Sequence, residues 1–348
     1  MKRIGNILWI IISAFAILTL AITLIIPFIA PDSALNLLSG ANLFFPYALV
    51  FALICVIVCL IRRQFYTVLC ITAILLLSIP NIQKSIATGR PQPAPQHALK
   101  VVSYNVHYFN FYNAKQANAL QWLQSCDADI LCLQEVLIGK QQHTLTQLLG
   151  KLNQYPYQHV SITTSAKNWS KGIITLSKYP IIQRENTKFE SSNHAAISSW
   201  VKINQDTLQV INCYLESNRL TSEEKEIYKS QEKANIAKRI YNKMASAAQK
   251  RGKQAETVVQ LKDAKHPTLL CGDVNDLPTS WVYQAIKGDY TDTFLACGKG
   301  VGHTFHEGLY RFRIDYIMAD KDIKPYQFNV DKLPYSDHYP IALQFTIQ

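Results

Sequence analysis

Leu-Leu-Cys-Gly-Asp-Val-Asn, residues 269–275, is an apolar run that stops abruptly at Asp273 and Asn275. A carboxylate at the edge of a buried strand is costly to desolvate, so it needs a partner. The pattern recurs along the chain. Asn105 stands in Val-Val-Ser-Tyr-Asn-Val, Glu135 ends Ile-Leu-Cys-Leu-Gln-Glu, and Asn212 and Tyr214 lie in Gln-Val-Ile-Asn-Cys-Tyr-Leu-Glu. Asp315 lies in Arg-Ile-Asp-Tyr-Ile, and Asp337 and His338 in Ser-Asp-His-Tyr-Pro. Such edges brought together make a carboxylate-rich pocket suited to a hard cation such as Mg2+. That is the skeleton of a metal-dependent phosphate hydrolase. Taken alone, Gly272-Asp273-Val274-Asn275 reads equally as a tight turn, because Gly, Asp and Asn favour turns.

The formal net charge of +11 belongs mostly to the chain after Pro80, since the first eighty residues are almost free of charge. Three apolar runs fill that N-terminal part: Ile4 to Phe28, Leu43 to Ile61 and Phe65 to Ile79. A bilayer crossing takes roughly 20 apolar residues, so the first two fit and the third is short. Pro27, Pro31, Pro46 and Pro80 sit at the edges, where helices end. The first run is too long for a cleaved signal peptide, despite Lys2 and Arg3 ahead of it, and two more runs follow. The third run reads either as a span or as a peripheral helix. Lys2 and Arg3, with Arg62 and Arg63 between runs two and three, orient the N-terminus to the cytoplasm. Three crossings then place the rest of the chain outside a cytoplasmic (inner) membrane; two would leave it inside. The expected division is a three-span anchor over 1–80, a Pro-rich linker over 81–96 that acts as a spacer, and a catalytic domain over 97–348.

Within that domain, strands read at Leu99–Val106, Ile130–Gln134, Gly172–Leu176, Ile197–Ile203, Gln209–Tyr214, Thr268–Cys271, Ile314–Met318 and Ile341–Ile347. Helical patterns read at Lys115–Ser125, Gln141–Leu152, Glu223–Ala264 and Ser280–Ile286. Short strands with scattered helices indicate a layered α/β or α+β domain. Thr221 and Glu224 form a capping-box start. The helix that follows has a buried stripe at Ile227, Ile236, Ile240 and Met244 and an excess of lysine, from Lys225 and Lys229 to Lys253. That face reads as an ordinary solvated surface or as an attractor of polyanions. The cysteines show no CxxC or zinc spacing, and Cys132, Cys213 and Cys271 lie in strand-like runs as small hydrophobes.

Taken in order, the motifs around Asn105, Glu135, Asn212, Asp273 and Asn275, Asp315, and Asp337 and His338 resemble those of the endonuclease/exonuclease/phosphatase superfamily. Lys171-Gly-Ile-Ile-Thr-Leu-Ser-Lys-Tyr-Pro180 resembles its strand-turn segment. The resemblance runs from about Leu99 to the C-terminus. It implies a four-layer αββα sandwich of the deoxyribonuclease-like type, with the motif loops gathered at one end.

The resemblance also implies roles. Glu135 is the principal metal ligand, with Asn105 beside it and Asp337 close by, for Mg2+ or alternatively Mn2+. Asp273 orients and deprotonates the attacking water, and Asn275 donates its amide to a phosphate oxygen. Asp315 fixes the His338 imidazole, which stabilises charge on the phosphoryl group. Asn212 and Tyr214 complete the catalytic set, with Tyr214 where many members have His. A phenol with a pKa near 10 is a poor general acid at neutral pH. Arg311 and Arg313 either meet phosphate or cap the sheet edge. His194, His303 and His306 match no motif and read as structural or exposed.

The expected activity is Mg2+-dependent phosphodiester hydrolysis at a membrane, on nucleic acid or on a phospholipid or sphingolipid headgroup. The alternatives are a phosphomonoesterase of the same superfamily and a non-catalytic membrane-anchored binding module. Loss of a metal carboxylate would mark the module, and none is lost.

Overall fold

The computed structural model describes residues 2–33, 36–110, 116–141, 143–190, 192–221, 224, 232–308 and 310–348. The chain divides into two compact units. One comprises residues 1–85, 218–252 and 276–284; the other comprises 86–217, 253–275 and 285–348.

In the first unit, helices Lys2–Ile25 and Phe45–Ile61 are followed by Phe65–Leu77 and Ile79–Ser85. Two stretches, Gly5–Phe28 and Leu38–Ile61, are long and apolar enough to cross a membrane; the third passes only as the pair 65–77 and 79–85, bent by 49°. The bend falls at Pro80, whose ring displaces a helical hydrogen bond. Small side chains let the helices approach closely: Ala16, Ala48, Ala52, Cys55 and Cys59 are buried in one cluster with Leu20, Phe45 and Ile71. Their outer faces carry Ile11, Phe15, Leu53, Ile57, Leu69 and Leu77, all exposed. A surface that apolar suits lipid rather than water.

The same unit contains residues 233–252 of a long helix, Lys233–Val259. The expected capping box is present: the Glu224 backbone N–H donates to Thr221 Oγ1 (3.3 Å), and the Thr221 N–H to Glu224 Oε2 (2.8 Å). The Glu224 carboxylate, fully buried, also ion-pairs with Arg239 (2.7 Å) and Lys243 (2.8 Å). Two of the helix's cations are therefore neutralised internally. Ile236 and Met244 are buried as expected and Ile240 is half-buried; Lys225, Ile227 and Lys229 lie outside the described residues.

The second unit is a two-sheet α/β sandwich. Its strands, in chain order, are β1 (Leu99–Asn105), β2 (Ile130–Gly139), β3 (Tyr157–Ser165), β4 (Trp169–Ser177), β5 (Ile181–Lys188), β6 (Ala195–Ile203), β7 (Asp206–Tyr214), β8 (Thr268–Asp273), β9 (Thr291–Asp292), β10 (Phe305–Glu307), β11 (Tyr310–Phe312), β12 (Asp315–Ala319), β13 (Ile323–Val330) and β14 (Ile341–Ile347). One sheet has the order β13-β14-β1-β2-β4-β3, the other β5-β6-β7-β8-β12-β9, and β10-β11 form a hairpin. Period-two alternation sends neighbouring residues to opposite faces. Val101, Ile130 and Ile341 face the core shared with Val210, Cys271 and Ile317 of the second sheet. Val102, Leu131 and Ala342 face outward onto Leu120, Leu123 and Leu148 of helices Gln116–Ser125 and Leu145–Lys151.

All eight expected strands are present. Six others were not expected: β3, β5 and β13, whose mixed burial leaves no apolar run to read, and β9, β10 and β11, which are only two or three residues long. The segment expected as a spacer is tied down. Asn81–Ser85 belong to a helix, Ala87 bridges to Gly300, and the Gln92 N–H donates to the Tyr326 carbonyl (2.9 Å).

Topology brings the motif ends together. β1 and β2 are parallel, as are β7 and β8, so Asn105, Tyr214 and Asp273 all lie at C-terminal strand ends. β12 runs antiparallel to β8, and β14 to β1, so Asp315 and the His338 loop enter from the same end. Gly272 makes this possible. Its φ is +140°, and a Cβ there would lie 1.9 Å from the Cys213 carbonyl oxygen. Gly272→Ala should lower stability by about 3 kcal/mol or more, read as a lowered unfolding midpoint of the purified protein; an unchanged midpoint would show that the turn tolerates a side chain.

Candidate active site

Glu135 reaches the pocket through an irregularity. The β2–β4 register shifts between Leu133 and Val136, and Glu135 sits at φ 53°. A bulge re-aims a side chain out of the ladder. Glu135 Oε1 then accepts from the Tyr214 hydroxyl (2.6 Å) and from Asn105 Nδ2 (3.3 Å). Burial alone would raise its pKa. The Lys171 ammonium, the Tyr214 hydroxyl and the imidazoles of His107 and His338 outweigh that and hold it below the usual glutamate value. Tyr214 moves the opposite way: burial, then the Glu135 charge, push the phenol well above its ordinary value.

Asp273 and Asp315 face each other across the β8–β12 ladder. Like charges directly opposite repel. Burial, and next the Asp315 carboxylate, push Asp273 up to about 8. His338 sits with them: its Nδ1 lies 2.9 Å from Asp315 Oδ2 and its Nε2 3.8 Å from Asp273 Oδ2. Burial disfavours the imidazolium, but Asp315 and then Asp273 more than offset this and raise its pKa well above the ordinary value. Phe305 packs edge-on to the ring at 5.1 Å. Asp273 is nearly saturated with donors: Asn105 Nδ2 (3.0 Å), the Asn275 N–H (2.9 Å) and Asn275 Nδ2 (3.1 Å).

One donor set among the described residues could hold a divalent cation. Asp273, Asp315 and His338 offer one ligand atom each, all within 4.8 Å of one another. Asp315 Oδ1 is buried and accepts no hydrogen bond from the described residues, which leaves an oxygen for a cation or a further donor. Glu135, bonded to Asn105 and Tyr214, and Asp337, next to His338, bring two further carboxylates to this end of the sandwich. Asp337 Oδ1 lies 2.6 Å from His107 Nδ1. Its pKa falls below the aspartate range, because the His107 hydrogen bond and the His338 and His107 charges overcome burial.

The remaining expected residues are placed less simply. Asn105, expected as a metal ligand, turns its N–H groups toward Glu135 and Asp273, while its oxygen accepts from the His107 N–H (3.0 Å). It bridges the two carboxylates. Asn212 is fully buried between the sheets: it accepts from Gln134 Nε2 (2.8 Å) and donates to the Ile174 carbonyl (3.0 Å) and Thr175 Oγ1 (3.3 Å). It does not face the pocket. Asn275, expected to donate to phosphate, uses its amide on Asp273 and on the Leu215 carbonyl (3.0 Å). The two arginines do not share a strand. Arg313 is buried, ion-paired with Asp292 (2.8 Å) and stacked over Phe294 and Tyr316; Arg311 donates to the carbonyls of Gly308 and Tyr310.

Three residues with no expected role border the site. His107 pairs with Asp337 and has φ 39°, the first of three left-handed residues through Phe109. Lys171 lies 5.3 Å from the Tyr214 ring and 5.5 Å from the Tyr108 ring. The buried His194 ring lies 4.3 Å from that of Tyr214, and its Nδ1 lies 3.0 Å from Glu216. His107 follows Asn105 by two residues, a signal within reach of the sequence. The other two are neighbours only in three dimensions.

Comparison with known proteins follows the same geometry. The profile of the Endonuclease/Exonuclease/phosphatase family matches residues 102–338. No curated protein matches the chain. Among solved structures, the chain is similar to TDP2 of D. rerio complexed with single-strand DNA product, at 19% identity and TM-score 0.51, over 72% of this chain and 100% of that one. It is similar to sphingomyelinase C of Streptomyces griseocarneus at 17% identity and TM-score 0.50, over 71% and 99%. It is also similar to the mannosyl-6-phosphatase of Bacteroides thetaiotaomicron at 16% identity and TM-score 0.51, over 72% and 100%. At these identities the neighbours establish the fold, and the profile match establishes descent. The chain belongs to the endonuclease/exonuclease/phosphatase family and is a phosphoester hydrolase.

Proposed function

We propose that this chain is a membrane-anchored phosphodiesterase that uses a divalent cation, Mg2+ or Mn2+, with its catalytic residues on the extracytoplasmic side. The observation that carries the chemistry is the convergence of Glu135, Asp337, Asp273, Asp315 and His338 at one end of the sandwich. A cation held by Glu135 and Asp337 would neutralise phosphate charge and polarise the phosphorus centre. Asp273 takes the proton of the attacking water. A base titrating at about 8 is far better matched to that task than an ordinary aspartate. The His338 imidazolium, fixed by Asp315, donates Nε2–H to a phosphoryl oxygen as charge builds. Tyr214, with its raised pKa, keeps its proton and holds Glu135 in place.

Chain topology supports the side of the membrane. Arg62 Nη2 donates to Asn6 Oδ1 (2.9 Å) and Gln64 Nε2 to the Asn6 carbonyl (3.1 Å), so the N-terminus and the second loop share one end. The first loop meets later chain at the other end: a Cβ on Gly40 would lie 3.0 Å from Met244 Cβ, and one on Gly252 would lie 2.9 Å from Pro31. These approaches support three crossings before residues 244 and 252 over two. The bent pair from Phe65 to Ser85 is about 30 Å of helix, enough for the hydrocarbon core. Basic residues at the N-terminus and at Arg62 and Arg63 orient that end inward.

The anchor supports a membrane phospholipid or sphingolipid headgroup over soluble nucleic acid as substrate. The full-length protein in nanodiscs, with Mg2+, should hydrolyse lipid phosphodiesters faster than DNA, RNA or phosphomonoesters. EDTA should abolish turnover; preference for a monoester would replace this reading with the phosphatase one. Glu135→Gln and His338→Ala should each reduce kcat/KM by about 100-fold or more with the fold intact by circular dichroism. Unchanged turnover in either would remove that residue from the site. Asp315→Asn removes the charge that raises both Asp273 and His338, so both limbs of the kcat/KM pH profile should move to lower pH. Immobile limbs would show that the facing carboxylates do not titrate in the catalytic cycle. Gly40→Cys with Met244→Cys should cross-link in intact cells, because the Cβ atoms are close enough for a disulfide after a small shift. Free thiols under oxidising conditions would refute the shared side.

A further inference from the structure

We infer that Asn42, in the 3-10 helix Asn36–Phe44 at the start of the second apolar stretch, is a positioning residue for the segment that carries Asp273 and Asn275. This rests on the phosphodiesterase reading above for the identity of that segment.

The observation is a buried polar cluster inside the first unit. Asn42 is 0% exposed, although it lies only three residues before the helix that begins at Phe45. Its Nδ2 donates to Asp276 Oδ1 (3.1 Å), and its Oδ1 accepts from the Thr279 hydroxyl. The other Asp276 oxygen accepts from Arg251 Nε (3.1 Å), and Arg251 Nη1 donates to Asn218 Oδ1 (3.1 Å). Asp276 Oδ1 also accepts from the Leu277 N–H (3.0 Å). Asp276, Thr279 and Arg251 are themselves at least nine-tenths buried. An apolar side chain at position 42 would strand the Thr279 hydroxyl and take one donor from the buried Asp276 carboxylate, which is the costly way to lose a hydrogen bond.

Asp276 is the residue directly after Asn275. Asn275 holds a left-handed φ of 56° and gives two hydrogen bonds to Asp273. A left-handed non-glycine residue persists only where its surroundings fix it. On the N-terminal side that is done by Gly272 and by the Val274 N–H, which donates to the Ile314 carbonyl (2.9 Å). On the C-terminal side it is done by Asp276, and hence by Asn42. The apolar segment therefore does more than tether. It supplies one of the two clamps on the catalytic turn, and a chain cut before His97 lacks it.

The test uses the full-length protein in nanodiscs with Mg2+ and the best phosphodiester substrate found above. Asn42→Leu should lower kcat about 10- to 100-fold with KM changed less than threefold, as expected for misplacement of a reacting group. Amide hydrogen exchange over residues 274–279 should rise, while exchange in β1, β7 and β14 stays as in the wild type. Asn42→Asp, which sets two carboxylates face to face, should do the same, and Asn42→Asp with Asp276→Asn should recover both readouts by restoring an amide–carboxylate pair. If Asn42→Leu does not fold, Thr279→Val removes a single donor and should give a smaller change of the same sign. Unchanged exchange at 274–279 in Asn42→Leu, or in Thr279→Val if that variant must serve, overturns the inference. So does a fall in turnover that the double variant does not recover. The exchange arm needs no turnover. A wild type inactive on every phosphoester would defeat the functional reading alone, and exchange would still decide the role of Asn42.

Discussion

The site depends on two buried carboxylates that face each other. Asp273 and Asp315 are register partners in the β8–β12 ladder, and neither charge is acceptable there without a counter-charge. His338 supplies it from the loop before β14, with one ring nitrogen toward each acid. Burial and the repulsion between the acids raise the pKa of Asp273, and attraction to the two acids raises that of His338. Everything else at that end serves this arrangement. Gly272 lets β8 turn beneath Cys213, Asn105 bridges Asp273 to Glu135, and the bulge in β2 brings Glu135 out of the ladder.

Much of this was legible in the sequence, for a physical reason. A polar residue closing an apolar run marks a strand end, and eight such residues in a fixed order mark a family. The order could not tell depth from direction. Asn212 and Tyr214 lie on one face of β7, two residues apart, so both looked available. Only Tyr214 stands at the end of the strand; Asn212 is one step down and enclosed between the sheets. Arg311 and Arg313 read together as phosphate contacts or sheet-edge caps, but β11 ends at Phe312, and Arg313 turns inward to Asp292. Lys171 and His194 border the pocket through pairings between strands distant in sequence, which no local pattern encodes.

Composition separates an apolar segment with few charges from the rest of the chain at about Pro80. Packing draws a different line and places 218–252 and 276–284 with the apolar helices. Hydropathy sees only residues that prefer lipid. It does not see Asn42, Gly40 and Pro31, which are unremarkable in sequence and matter because of what they meet. The Pro-rich stretch after Ser85 shows the same limit: its composition says extended backbone, and its hydrogen bonds to Gly300 and Tyr326 fix where that backbone runs.

Direction of water to phosphorus by these residues, with the help of a divalent cation, is read from hydrolysis of a lipid phosphodiester by the full-length protein in 18O-labelled water. The phosphate product should carry one 18O atom and the released alcohol none, with no turnover after EDTA until Mg2+ or Mn2+ is restored. Label in the alcohol, or turnover that survives EDTA, would rule this chemistry out.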